Sequence, residues 1–249
     1  MKKNIVIIVI ISILIPLFLY SKKEDVLKIG IQSLSIFRDK TKKSVETEIG
    51  VNKKYIWGLD LSHHQQNINW DKLAKSNKPY FIFFKTTEGK SFTDPAYKVN
   101  IIKARKLGIK VGAYHFFKYQ TNGAIQAKHF IRNAKLKNGD LLPVLDVEFN
   151  NNMPAKSKVI AEIQKFCNVI ETHYGVKPII YCETDFYTQY LSQKFRANYY
   201  WISDFYREPR CRWTIWQYTD KAIVKGIKGN IDKNVIDRDF YLNKIILKY

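Results

Sequence analysis

Four acids sit where strand-forming segments end, and two of them share a segment. Asp146 and Glu148 close the run LLPVLDVEF (Leu141–Phe149), Asp60 follows IWGL, and Asp232 lies in GNIDKN. Side chains two residues apart on a strand project to the same face. Asp146 and Glu148 would therefore stand together, their Cα atoms about 6.5–7 Å apart at about 3.3 Å rise per residue. Two carboxyls held close in a partly dry site do not ionise independently: one pKa rises and that group keeps its proton. Cleavage of a glycosidic bond uses such a division of labour. One carboxylic acid protonates the leaving oxygen, and one carboxylate stabilises the positive charge that develops on the sugar. On this reading Glu148 is the acid, and Asp146, Asp60 and Asp232 are the anions that hold its proton in place. An Asp-x-Glu pair alone is equally a solvated or salt-bridged strand end. The apolar body Leu141–Leu145 and the acids on neighbouring strands favour a site, because charges seldom end apolar strands without a partner or a purpose.

The elements that must carry these acids follow from hydrophobic periodicity. Strands are predicted over Ile56–Ser62, Tyr80–Thr86, Lys110–Phe117, Leu141–Glu148 and Lys177–Cys182. Helices fall between them near Trp70–Ser76, Asp94–Leu107, Asn122–Ala134 and Lys156–Tyr174, with Gly108 and Gly175 as C-terminal stops. Then the rhythm changes. Tyr199–Ser203 and Trp213–Tyr218 read as strands with no full helix between them, and Ile231–Val235 as one more. About five βα units followed by β structure make an α/β fold, an irregular TIM-like barrel closed by additional strands. Its C-terminal strand ends converge on one mouth.

The chain of 249 residues carries a net charge of +20, with 46% hydrophobic and 14% aromatic residues. That composition supplies a core and excludes global disorder. Residues 55–249 hold thirty-one Lys/Arg against seventeen Asp/Glu, so the excess is spread along the chain and not confined to a tail. Such a field attracts polyanions without choosing among them. Nucleic acid is not indicated: there is no Gly-rich phosphate loop, zinc finger or basic helix. Cys167, Cys182 and Cys211 have no metal-ligand spacing, and the first and second read as buried thiols. At the N-terminus, Lys2 and Lys3 precede sixteen mostly apolar residues, Ile5–Tyr20, and no small-x-small cleavage site follows. Residues 1–23 read as an uncleaved signal anchor in preference to a cleaved signal peptide. Residues 24–54 read as a charged linker, and 55–249 as the catalytic domain. The export segment places that domain outside the cytoplasm, facing the wall or released.

Six motifs in order make the domain resemble the family 25 glycoside hydrolases, the lysozymes of the phage and fungal muramidase type. They are GLDLSHHQQNINW (Gly58–Trp70), FKTTEG (Phe84–Gly89), VGAYHFF (Val111–Phe117), LPVLDVE (Leu142–Glu148), WQY (Trp216–Tyr218) and IDKN (Ile231–Asn234). The resemblance implies hydrolysis of the β-1,4 bond between N-acetylmuramic acid and N-acetylglucosamine in peptidoglycan. It also implies retention, assisted by the substrate's own acetamido group. It puts Asp60, Asp146, Glu148 and Asp232 on the family's active-site acids, and Tyr114, Tyr181, Trp216 and Gln65 on substrate-binding positions. Neither a metal nor a cofactor is implied. The expected partner is the peptidoglycan strand, met by a monomer held at the membrane through its N-terminal segment. Two departures stand out: Ser203-Asp204-Phe205 replaces a small residue followed by Tyr, and Asn150–Met153 is Asn-rich.

Other chemistries fit less well. His63, His64 and His115 with Asp60 and Asp146 match no metal-binding spacing. Ser62 beside His63 lacks a glycine-flanked nucleophile elbow. Glu88 is expected to orient a loop or a sugar hydroxyl. The remaining alternative is a non-catalytic peptidoglycan-binding module on the same fold.

Overall fold

The computed structural model describes residues 55–237, 240 and 242–249, with Asp237 described through its backbone only. The predicted anchor and linker lie outside the described residues. Among the described residues no helix is long and apolar enough to cross a membrane.

Strands β1 (Tyr55–Leu61), β2 (Phe81–Glu88), β4 (Lys110–Phe116), β5 (Val144–Asp146), β6 (Ile179–Glu183), β7 (Tyr200–Ser203) and β8 (Ile215–Ala222) run parallel. β9 (Ile231–Asp237) is inserted antiparallel between β8 and β1. Because β1 also pairs with β2, these eight strands close on themselves. The two-residue strand β3 (Phe92–Thr93) hangs from the end of β2 as a hairpin. Helices α1 (Trp70–Lys75), α2 (Tyr97–Lys106), α3 (Gly123–Ala134) and α4 (Lys156–Tyr174) connect the first five parallel strands. Between β6 and β7 lies a short helical segment, Thr184–Phe186 running into Tyr187–Leu191, and a further short turn of helix, Leu242–Ile245, follows β9. The barrel with a β-rich final third is the predicted architecture.

Most boundaries fall within a residue or two of the expected ones, and α4 falls on them. Its stop is Gly175, whose φ of 68° lets its amide turn back to the Glu171 carbonyl at 2.9 Å. β8 runs four residues past its predicted end at Tyr218, and β5 is shorter than predicted at both ends. Pro143 has no N–H for a ladder. Leu141 and Leu142 instead pair with the C-terminal segment at Ile246 and Ile245. The strand thus begins at Val144 and ends on Asp146, and Glu148 lies beyond it.

The lower barrel is plugged. Phe81 and Phe83 lie 6.0 Å apart by ring centroid, and Phe83 packs 5.0 Å from Trp201. Their neighbours across the strands have no side chain: a Cβ on Gly58 would come within 2.4 Å of the Phe81 ring, and one on Gly112 within 2.3 Å of Phe83. These rings leave space open only at the C-terminal strand ends. Outside the barrel, His115 on β4 stacks 5.1 Å from Phe166 of α4. It bridges Thr87 at 2.8 Å and Gln126 at 3.0 Å. Burial drives its pKa down to about 3, so it is a neutral core residue. Cys167 and Cys182 are buried free thiols, as expected.

α3 and α4 cross where Gly123 begins α3. A Cβ there would sit 1.9 Å from the Glu162 carbonyl oxygen, and the Gly123 amide already donates to the Glu162 carboxylate at 2.8 Å. Backbone is the obstacle, so no side chain can move aside. Gly123→Ala is expected to destabilise the fold by about 3 kcal/mol or more, read as a lower urea midpoint at unchanged m-value; an unshifted midpoint would refute this contact.

Candidate active site

The seven parallel strands bring their C-terminal ends, and β9 its N-terminal end, to a cavity of about 350 Å³. Its acids come from four strands: Asp60 of β1, Asp146 and Glu148 at the end of β5, Glu183 ending β6, and Asp232 of β9. All four acids expected from the sequence meet here. Alternation explains the pair after β5: Asp146 and Glu148 face the cavity, while Val147 between them is fully buried in the core.

Asp60 is fixed by a chain of amides whose orientation is dictated from behind. The Trp201 indole can only donate, and it donates to Asn234 Oδ1 at 2.8 Å. This turns the Asn234 amide nitrogen to Asp60 Oδ2 at 2.8 Å. Likewise the Tyr181 hydroxyl donates to Gln217 Oε1 at 2.9 Å, and Gln217 Nε2 donates to the same Asp60 oxygen at 3.1 Å. Asp232 stands directly opposite Asp60 in the β1–β9 register and shares a hydrogen bond with it. Two acids this close, Asp60 buried and Asp232 partly so, hold a proton between them. Burial pushes Asp60 up to about 6 against the pull of Asn234 and Gln217. Burial, and then the Asp60 charge, pushes Asp232 up to about 8.

Asp146 lies well above the usual carboxylate range, chiefly through burial and then through the charges of Glu148 and Asp60. Its Oδ1 is buried with no hydrogen-bond partner among the described residues. An acceptor left bare inside a polar cavity costs free energy unless a ligand supplies the donor. Glu148 is raised by burial, then by Glu183 and Asp60; Lys85 and Lys118 pull it down. Its backbone is held by the Tyr119 hydroxyl, 2.9 Å from the Glu148 carbonyl.

Tyr114 and Tyr181 line the cavity as expected. Trp216 does not. Neighbours on a strand face opposite ways, and since Gln217 points inward, Trp216 points outward. There it is 2% exposed and packs with Tyr218 and Val235, on the side of the barrel that no helix follows. Its indole donates to the Asp204 carbonyl at 2.7 Å, holding the loop whose Ser203 and Phe205 line the cavity. Gln65 is also elsewhere. Its Oε1 accepts from the Ser62 amide at 2.7 Å and closes a capping box on the short turn His63–Gln65. Glu88 clamps Lys85 at 2.6 Å and Lys118 at 2.9 Å, outside the cavity lining. His63 is tied to Asp94 at 2.8 Å, whereas His64 reaches the cavity.

Sequence reasoning missed Gln217, Asn234, Lys85 and Glu183. Gln217 and Asn234 lay inside quoted motifs, one residue from Trp216 and two from Asp232. The parity of the strand was the available signal.

A group protonated in the fold but ionised when unfolded stabilises the fold at low pH. Its contribution is lost as pH rises from the unfolded value, about 4, to the folded one, about 8 for Asp232. Asp232→Asn keeps a donor for Asp60 and removes that dependence. Calorimetry should show Tm of the variant gaining on wild type as pH rises between those limits; a constant difference would mean that Asp232 titrates normally in the fold.

Residues 59–227 match the family model described as glycosyl hydrolases family 25. A family 25 glycosyl hydrolase from Bacillus anthracis is similar in structure, with TM-score 0.71 and 34% identity over 77% of this chain and 94% of that one. A family GH25 lysozyme from Aspergillus fumigatus gives TM-score 0.65 and 26% identity over 73% and 93%. Lysozyme M1 of Streptomyces globisporus is 27% identical over 72% of this chain and 67% of its own. With the family's pattern running through most of the barrel that carries the buried acids, the chain belongs to glycosyl hydrolase family 25 and is a glycosidase.

Proposed function

We propose that this chain is an exported muramidase that cuts the β-1,4 bond between N-acetylmuramic acid and N-acetylglucosamine with retention, assisted by the substrate. The observation that carries the mechanism is the bare, buried Oδ1 of Asp146 in a cavity shared with Glu148. The lysozymes among the relatives support the substrate.

Glu148, whose pKa burial and then the Glu183 and Asp60 charges raise, gives its proton to the glycosidic oxygen as the C1–O bond breaks. The carbonyl oxygen of the substrate's acetamido group closes on C1 and forms an oxazolinium-like ring. Asp146 accepts the acetamido N–H, and the positive charge developing there favours its ionised form. Water then attacks C1 from the face the leaving group vacated, and Glu148, now a carboxylate, takes its proton. The two inversions leave the β-configuration. Tyr114 and Tyr181 supply cavity walls for the sugar rings, and Glu183 with Asp60 supplies the negative field that raises the Glu148 pKa. Residues 1–23, read as an anchor, would hold the enzyme beside its own membrane.

Release of reducing ends from purified sacculi tests this. Glu148→Gln should lower the rate by ~10²–10⁴-fold, the usual worth of a general acid, and NMR of the wild-type reaction should show the β-anomer first. An α-anomer at the first turnover contradicts the assisted route. Equally slow release by both proteins, with sacculi still retained by both, would make the chain a binder.

A further inference from the structure

Acids gather in the cavity at one end of the barrel, and exposed lysines mark the connections at the other. Five of the seventeen acids of residues 55–249 line the cavity at the C-terminal strand ends. The opposite end is basic at nearly every connection. Lys78 precedes β2, Lys110 opens β4, Lys135 and Lys137 precede β5, Lys194 precedes β7, and Lys248 lies by the C-terminus; all six are exposed. Backbone and side-chain ties put them on one face. Lys78 reaches the Leu107 carbonyl at 3.0 Å, Asn198 reaches that of Pro178 at 2.8 Å, and the Leu247 amide reaches that of Asp140 at 2.7 Å. Two carboxylates near these connections, Asp140 and Glu171 of the last turn of α4, are already held by Arg105 at 2.5 Å and Lys177 at 2.6 Å. Exposed Tyr80 and Tyr249 (54% and 57%) flank the lysines. A concavity of about 420 Å³ opens among Val176, Tyr199, Ile246 and Lys177, Lys244 and Lys248.

We infer that this face docks on an anionic lipid surface, so that the acidic cleft is presented away from the membrane. Each Lys or Arg near such a surface contributes about 1 kcal/mol, and Tyr with lysine stems suits the headgroup layer. Chain direction favours a membrane over a wall polymer. β1 begins at this same end with Tyr55, and the predicted apolar segment precedes it in the chain. The thirty-one residues from 24 to 54 could reach about 100 Å if extended, too far to orient the barrel alone. The basic face supplies the orientation. The inference therefore rests on the exported reading, and the two are separable by experiment.

Full-length protein is mixed with vesicles of phosphatidylcholine, with or without phosphatidylglycerol, and its lysines are footprinted by acetylation and mass spectrometry. Lys110, Lys137, Lys194 and Lys248 should be protected ~5-fold or more relative to Lys90 and Lys221 on anionic vesicles. That difference should vanish in high salt and in neutral vesicles. Lys110→Glu with Lys137→Glu and Lys194→Glu should abolish protection of Lys248 while hydrolysis of soluble glycan fragments is unchanged. Association with both vesicles and no differential footprint would support the anchor and overturn the docking face. Association and protection on anionic vesicles alone would support the face without the anchor. No association, or protection of these lysines by soluble polyglycerol phosphate but not by anionic vesicles, would overturn the docking face.

Discussion

Desolvation of carboxyl groups at the barrel mouth is the constraint on which the rest depends. The rings of Phe81, Phe83 and Trp201 fill the barrel below the acids, so little water can reach them from beneath. Ionised acids in such a place are costly, and the protein answers in two ways. Asp60 receives two amide donors, and Asp232 keeps a proton against it. Asp146 receives no donor on Oδ1. The same burial that would weaken the fold raises the Glu148 pKa and leaves an acceptor waiting for a substrate N–H.

The scaffold serves this placement. Only β9 opposes the other barrel strands, and its reversal sets Asp232 across from Asp60 and brings Asn234 against the same carboxylate. A parallel β9 would have required one more long crossover connection. Without one, the outer side of β8 and β9 is covered by Trp213, Trp216 and Tyr218, and this aromatic cover holds the loop that completes the cavity wall.

Much of this was legible in the sequence because alternation is local. The order of strands and helices, the stop at Gly175 and the shared face of Asp146 and Glu148 all follow from spacing within one segment. What escaped depends on neighbours distant in sequence. Whether Trp216 or Gln217 faces inward is decided by which side of β8 lacks a helix. Gln65 looked available for substrate until the Ser62 amide claimed it. The early start predicted for β5 ignored the C-terminal segment, which takes Leu141 and Leu142 as partners. The charge excess was visible as a total, but the gathering of five acids in one cavity and of exposed lysines at the opposite connections required the barrel.

The account turns on protons retained by buried acids, and ¹³C NMR titration of the side-chain carboxyls reads them directly. It predicts that Asp60 titrates near 6 and Asp232 near 8, with Asp146 and Glu148 displaced upward from their ordinary values. Four carboxyls titrating together near pH 4 would contradict it.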